Sequence, residues 1–311
     1  MSTSPLTPGR LLAPPTTLLL LLLSVFLGVL LSVLAAQGLQ VLFGLDLGLD
    51  ELPAAADTGA GLRYRVRAVL FVSQAFSFLL PGWGLARWLY GPRWAFALGL
   101  RPLPSAAQCL IGCLVLFSAL GLVVFSYQLN ERLPLPVWAA EAEERSDSLI
   151  GLILRMETGL ELIASLGIVA VLAAVGEELI FRGLLQPTLT RWFGGRGQAA
   201  IWVTAAVFSA IHFQWAGFLP RLVLGVVLGY LFYLTGRLWV PILAHALNNG
   251  AQVIGTYFLP PEAVEAAAEQ APAVTPLQAG CSLLLVLLGA FALQRISPPA
   301  VPPVPSDPPD E

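Results

Sequence analysis

The chain has 311 residues, 57% hydrophobic and only 11% charged, with a net charge of −3. Soluble domains carry about 25% charged residues, so this composition excludes an ordinary soluble domain, and the small net charge offers no basic surface for nucleic acid. Repeated apolar runs of roughly 17–25 residues indicate an all-α, polytopic membrane protein set in a lipid bilayer.

Residues 1–17 read as a short polar tail carrying Arg10. The run 18–36 exceeds the ~7–15 apolar residues of a signal peptide and reads as the first transmembrane helix. An acidic loop with Asp46, Asp50, Glu51 and Asp57 follows, then Arg63, Arg65 and Arg67, and a second run at 68–90. Pro81-Gly82 predicts a kink or an early end within it. A third run spans 106–127. The stretch 129–158 is different, mixing Pro134, Pro136 and Trp138 with Glu141, Glu143, Glu144 and Asp147 and an apolar LIGLIL patch. It reads as an amphipathic helix at the membrane surface, with a solvated loop as the alternative. Residues 18–158 thus form three spans plus an interfacial segment.

The unit 159–259 holds four more runs, at 160–186, 199–215, 218–234 and 238–258. Residues 260–295 supply a loop and a final span at 277–293, and the Pro-rich tail 296–311 has nothing to bury and reads as disordered. About eight transmembrane helices result. Cys109, Cys113 and Cys281 form no disulfide framework or zinc spacing and read as small buried packing residues.

Arginine counting gives an orientation. Arg10, Arg87, Arg93, Arg101, Arg191, Arg196, Arg237 and Arg295 fall on the side of the two termini. Arg63, Arg65, Arg67, Arg132, Arg145 and Arg155 fall on the other. The expectation is a protein of a bacterial inner membrane with both termini cytoplasmic, on a modest bias that the Arg63–Arg67 cluster opposes.

The chemistry concentrates in the run VLAAVGEELIFRGLLQP, where Glu177, Glu178 and Arg182 interrupt an apolar helix. Intramembrane ionisable groups are costly and mark function or a buried partner. The chain's two histidines, His212 and His245, also lie in apolar runs. At ~1.5 Å rise per residue, Glu177, His212, His245 and Asn249 fall roughly 10–20 Å from the expected cytoplasmic ends. Four polar groups from three helices can therefore converge within a ~30 Å core.

Spacing assigns contacts. Glu178 and Arg182 are i, i+4 with the acid first, the favourable order for an ion pair. Glu177 projects about 100° away around the helix and is left for another partner. His245 and Asn249 share a face, as do Phe208 and His212, while Asn248 is expected to face elsewhere. A carboxylate beside an imidazole takes a proton from water and returns it to a leaving group. Imidazole and amide N–H groups aimed at one point form an oxyanion hole. No serine or cysteine nucleophile accompanies them, so water is the better nucleophile and amide hydrolysis the better chemistry.

Together these residues resemble the CPBP family, the CAAX-protease and bacteriocin-processing (Abi) intramembrane proteases. The EExxxR motif matches Glu177, Glu178 and Arg182, FxxxH matches Phe208 and His212, and HxxxN matches His245 and Asn249 after Pro241. The resemblance covers residues 171–252, about a quarter of the chain. It implies an endopeptidase of the CAAX prenyl protease 2 type that cuts a membrane-associated or lipidated peptide. By it, Glu177 activates water with His212, His245 and Asn249 stabilise the oxyanion, and Glu178, Arg182 and Phe208 support the site. The preferred mechanism requires no cofactor. If zinc is bound, Glu177, Glu178, His212 and His245 are the candidate ligands. Two rival readings are a non-catalytic family member acting as an immunity or scaffold protein, and a proton-coupled transporter. The absence of an internal repeat disfavours the transporter.

Overall fold

The computed structural model describes residues 12–43, 59–259 and 273–297. The Arg10 tail, the loop with Asp46 to Asp57, and the tail from Pro298 onward lie outside the described residues. So do the side chains of Glu144, Arg145 and Asp147.

Among the described residues the chain forms helices and no strand. They are labelled α1 (Pro14–Phe43), α2 (Ala60–Ala97), α3 (Ala106–Asn130), α4 (Val137–Leu154), α5 (Gly159–Trp192), α6 (Gly197–Ala210), α7 (Phe218–Thr235), α8 (Trp239–Phe258) and α9 (Pro276–Ile296). Each of the eight expected spans corresponds to one of these, and α4 falls within the stretch 129–158. Six are long and apolar enough to cross a membrane, namely α1, α2, α3, α5, α7 and α9. α6 has only 14 residues, or about 21 Å at 1.5 Å per residue, short of a ~30 Å core. It stops at Ala210 instead of running to Trp215, and His212 consequently sits in a turn.

Local sequence explains several helix ends. α3, α5 and α9 each begin with a reciprocal capping box, formed by Ser105 with Gln108, Thr158 with Glu161, and Thr275 with Gln278. Such boxes satisfy two orphan N–H groups at once. α7 ends at Gly236, whose φ of 60° is a left-handed cap that glycine adopts without steric cost.

Of the two outcomes expected at Pro81, a kink or an early end, the early end does not occur, and α2 runs on to Ala97. The turn before Pro81, Ala75–Leu79, widens into π-helix, which accommodates the missing N–H and the ring's clash with the preceding carbonyl. Gly28 of α1 packs on this widened turn, where a Cβ would lie 2.7 Å from Pro81 Cγ.

Two apolar clusters organise the bundle. One joins α2, α5, α6 and α8 through Leu85, Leu98, Phe181, Leu184, Phe208 and Ile242. The other joins α3, α7, α8 and α9 through Leu116, Leu228, Leu231, Val240, Ala244 and Leu293. The cysteines depart from expectation: Cys109 and Cys113 are only half-buried, and Cys281 is exposed on α9. Much of the outer surface of these helices is apolar, which suits side chains facing lipid.

A buried ion network ties α2 to the elbow between α4 and α5. Arg63 Nε and Arg67 Nη1 approach Glu161 Oε1 at 2.7 and 3.1 Å. Arg63 also grips Glu157 through Nη1 (3.0 Å) and Nη2 (2.9 Å). Glu161 Oε2 accepts the backbone N–H groups of Glu157 and Thr158. Arg67 Nη2 donates to the carbonyls of Ile153 (3.1 Å) and Arg155 (2.6 Å). Two of the three arginines that opposed the orientation count are thus locally paired with carboxylates.

This elbow sets the position of α4. The helix's other end rests on the loop after His212, where Trp138 meets Trp215 edge-on with centroids 5.6 Å apart. Glu143 Oε2 there accepts the Ala216 N–H at 3.1 Å. The LIGLIL patch turns inward: Ile150, Ile153 and Leu154 line an internal cavity.

Candidate active site

α5 carries the paired acids between two π-helical stretches, Leu166–Leu172 and Leu179–Leu185. Such bulges recur at functional sites because each widened turn re-aims the side chains after it. Glu178 and Arg182 form the expected ion pair, with Arg182 Nη1 donating to Glu178 Oε1 at 2.6 Å and both side chains fully buried. Arg182 Nη2 also donates to the Gly225 carbonyl at 2.9 Å, and one turn on Gln186 Nε2 donates to the Gly229 carbonyl at 3.2 Å. Glycines at these α7 positions let the helices approach closely enough for side chain to meet backbone. A Cβ on Gly229 would lie 2.8 Å from Ile201 Cγ2.

Glu178 has a second partner that spacing did not reveal. His245 Nδ1 lies 2.9 Å from the same Oε1. Its Nε2 points the other way, 3.9 Å from Glu177 Oε2. The two neighbouring carboxylates therefore straddle one imidazole instead of diverging to separate partners. Glu177 and His245 are 6% and 7% exposed, whereas Glu178 is sealed behind them.

Phe208 is the common apolar neighbour. Arg182 Cζ lies 4.9 Å from its ring centroid, and its ring packs edge-on against Phe181, His212 and His245 at 5.1, 5.0 and 6.0 Å. A cation over an aromatic face is favourable where water is excluded.

His212 holds its place by satisfying the end of α6. Its Nδ1 lies 2.7 Å from the Phe208 carbonyl, an acceptor with no proton to give, so Nδ1 carries the hydrogen. A neutral ring then presents its Nε2 lone pair elsewhere. Phe213 follows with φ 52°, a left-handed conformation uncommon for a bulky residue and of the kind that collects at functional sites. Asn130 clamps the loop beyond, donating from Nδ2 to the Trp215 carbonyl and accepting the Leu219 N–H at Oδ1.

Glu177, His212, His245 and Asn249 line one cavity of about 490 Å³. Asn249 Nδ2 donates one hydrogen to the Val169 carbonyl at 3.1 Å, and its Oδ1 accepts from Asn248 at 3.3 Å. Asn248 also lines the cavity, contrary to expectation, as do Gln74, Tyr127 and Arg221. Sequence reasoning passed over these, although Arg221 gave the same signal as Glu177, a charge within an apolar run. Glu178 and Arg182 stay outside the lining and act from behind. The remaining wall is largely apolar, with Leu70, Leu116, Val123, Leu224, Leu228 and Val253.

The zinc alternative fits this donor set poorly. No group of three His, Cys, Asp or Glu side chains is arranged to hold a metal among the described residues. The histidines themselves do not decide the matter, since the hydrogen bonds of each Nδ1, to Glu178 or to the Phe208 carbonyl, leave Nε2 of both rings available.

Residues 159–251 match the model of the Rce1-like family, described as type II CAAX prenyl endopeptidase Rce1-like. An uncharacterized protein of Bacillus subtilis, YpbD, is 32% identical over 78 residues. That similarity covers 24% of this chain and 36% of the relative, so the chain spans about a third of the curated relative it matches. No solved structure matches significantly. The matched segment runs from the start of α5 into α8 and contains every one of the three motifs, so the similarity to CAAX-type prenyl endopeptidases falls on the part of the chain that holds the paired acids and both histidines.

Proposed function

We propose that this protein is an intramembrane endopeptidase that hydrolyses a peptide bond of a membrane-associated or lipidated, CAAX-like substrate. The observation that carries this reading is the convergence of Glu177, His212, His245 and Asn249, from three separate helical segments, on one largely apolar cavity. In this mechanism Glu177 takes a proton from a water molecule that also hydrogen-bonds to His212 Nε2. The water oxygen attacks the substrate carbonyl carbon, and the C=O electron pair moves onto oxygen. The second N–H of Asn249 and the His245 ring, held from behind at Nδ1 by Glu178, stabilise that oxyanion. Collapse breaks the C–N bond, and Glu177 returns its proton to the leaving amine. No step passes through a metal.

The cavity's apolar wall suits a lipid-linked or hydrophobic peptide, and α4 covers it from the loop after His212 to the Arg67 elbow. The test is reconstitution in liposomes with a lipidated-cysteine peptide, followed by mass spectrometry. The expected result is two fragments with a new carboxylate and a new amine. Recovery of intact peptide alone would favour a non-catalytic family member.

A further inference from the structure

Gln74 of α2 lines the cavity but takes no part in the mechanism above, and α2 lies outside the segment similar to CAAX-type endopeptidases. Its Oε1 is buried and has no hydrogen-bond partner among the described residues. A buried amide oxygen without a donor is costly, and folded proteins keep few of them. A leucine at this position would avoid that cost.

The register of α2 on α5 places Gln74 beside the reacting groups. Arg67 Nε donates to Ser165 Oγ at 2.9 Å, and a Cβ on Gly176 would lie 3.1 Å from the Leu79 nitrogen. Counting seven residues on from the first contact, or five back from the second, sets Gln74 level with Val171 and Leu172. That level falls between Glu177 and Val169, whose carbonyl holds Asn249. Gln74 also directly precedes the π-helical turn Ala75–Leu79, and such turns recur at functional sites. The cavity residues nearest in register, Leu70, Val169 and Ala173, are apolar and carry no side-chain donor.

We propose that Gln74 binds the substrate peptide, its Oε1 accepting a backbone N–H near the scissile bond and so setting which carbonyl reaches Glu177. A peptide brings such a donor with every residue except proline. A neutral carboxamide pairs with it without placing another charge in the apolar cavity. This deepens the protease reading and rests on it for turnover, though not for binding.

Lipidated-cysteine peptides test it, each with one backbone N–H replaced by an ester oxygen at a position other than the scissile bond. In wild type, one ester peptide is expected to lose at least about fivefold in kcat/KM against its all-amide parent, the scale of one hydrogen bond. In Gln74→Leu the parent falls by a similar factor, and the ester at that position costs nothing further. In Gln74→Glu, which keeps an acceptor oxygen, the ester still costs at least about threefold. Each ratio compares two peptides on one preparation, so it is independent of the folded fraction. Anisotropy with the same labelled peptides, on Glu177→Gln protein with and without Gln74→Leu, reads recognition without cleavage. If wild type cuts no peptide, the protease reading fails, and an ester penalty in binding that disappears in Gln74→Leu still supports Gln74. Ester penalties that match between wild type and Gln74→Leu at every position overturn the proposal, as does the absence of both cleavage and binding.

Discussion

His245 Nδ1 lies 2.9 Å from Glu178 Oε1, joining α8 to α5 across 67 residues of sequence. The same oxygen accepts from Arg182 at 2.6 Å. One carboxylate oxygen therefore fixes both the buried cation and the ring that faces Glu177. Removing it leaves Arg182 without its counter-ion in the bundle interior. Loss of one partner from such a pair costs about 3–5 kcal/mol. Glu178→Ala is expected to lower thermal stability in detergent by that order, whereas Glu177→Ala, at the cavity wall, changes it little. Equal stability of the two variants would contradict the division of roles between the neighbouring acids.

Phe208 gives a second expectation. Its ring touches Arg182, His212 and His245 together. Phe208→Ala opens a void among them, with a cost of about 3–5 kcal/mol for a buried aromatic, and cleavage should fall along with stability. Thermal unfolding and peptide cleavage on the same preparation check it.

Asn249 should behave differently. Its Nδ2 keeps one hydrogen on the Val169 carbonyl and its Oδ1 accepts from Asn248, so the substitution removes two structural bonds, the second a long one, and one donor to the oxyanion. Asn249→Ala is expected to lose about 10²–10³ in kcat, the cost of one oxyanion donor. The stability loss should be near 1 kcal/mol, and KM should change little. A change confined to KM would assign Asn249 to ground-state binding instead.

The Arg63–Arg67–Glu161 network lies away from the reacting groups but anchors the elbow of α4. Glu161→Ala leaves Arg67 without its carboxylate and Arg63 with Glu157 alone, both arginines being 2% exposed, at about 3–5 kcal/mol. Because Ile150, Ile153 and Leu154 of α4 line the cavity, peptide affinity should weaken as well. Unfolding temperature and peptide binding measured on this variant decide the matter.

Metal removal supplies a further check. The proposed water activation uses Glu177 and His212 alone, so cleavage should survive exhaustive treatment with a zinc chelator. Loss of activity that returns on adding zinc would require a different account of both histidines.

The membrane class, the approximate span positions and the residues of the three motifs were legible because they rest on apolar length and on charges placed where charges are costly. The early stop of α6 was not. It depends on His212 turning back to the Phe208 carbonyl and on Phe213 adopting a positive φ, neither of which hydropathy registers. The meeting of both acids on His245 was also hidden. A strict 3.6-residue helix separates Glu177 and Glu178 by about 100°, but tertiary packing brings both to opposite sides of one ring. The pairing of Arg67 was hidden for a related reason: counting arginines sees charge, and its partner Glu161 lies 94 residues away. Arg221 was readable by the same rule as Glu177 and was overlooked because it belongs to no motif.

The central claim is that Glu177 and His212 activate water inside this cavity. The most direct test is the single-turnover cleavage rate of a lipidated peptide in liposomes by wild type, Glu177→Ala and His212→Ala, each confirmed folded by its unfolding temperature. The account predicts cleavage by wild type and a loss of at least about 10²-fold in each variant. Wild-type rates in both folded variants would contradict it.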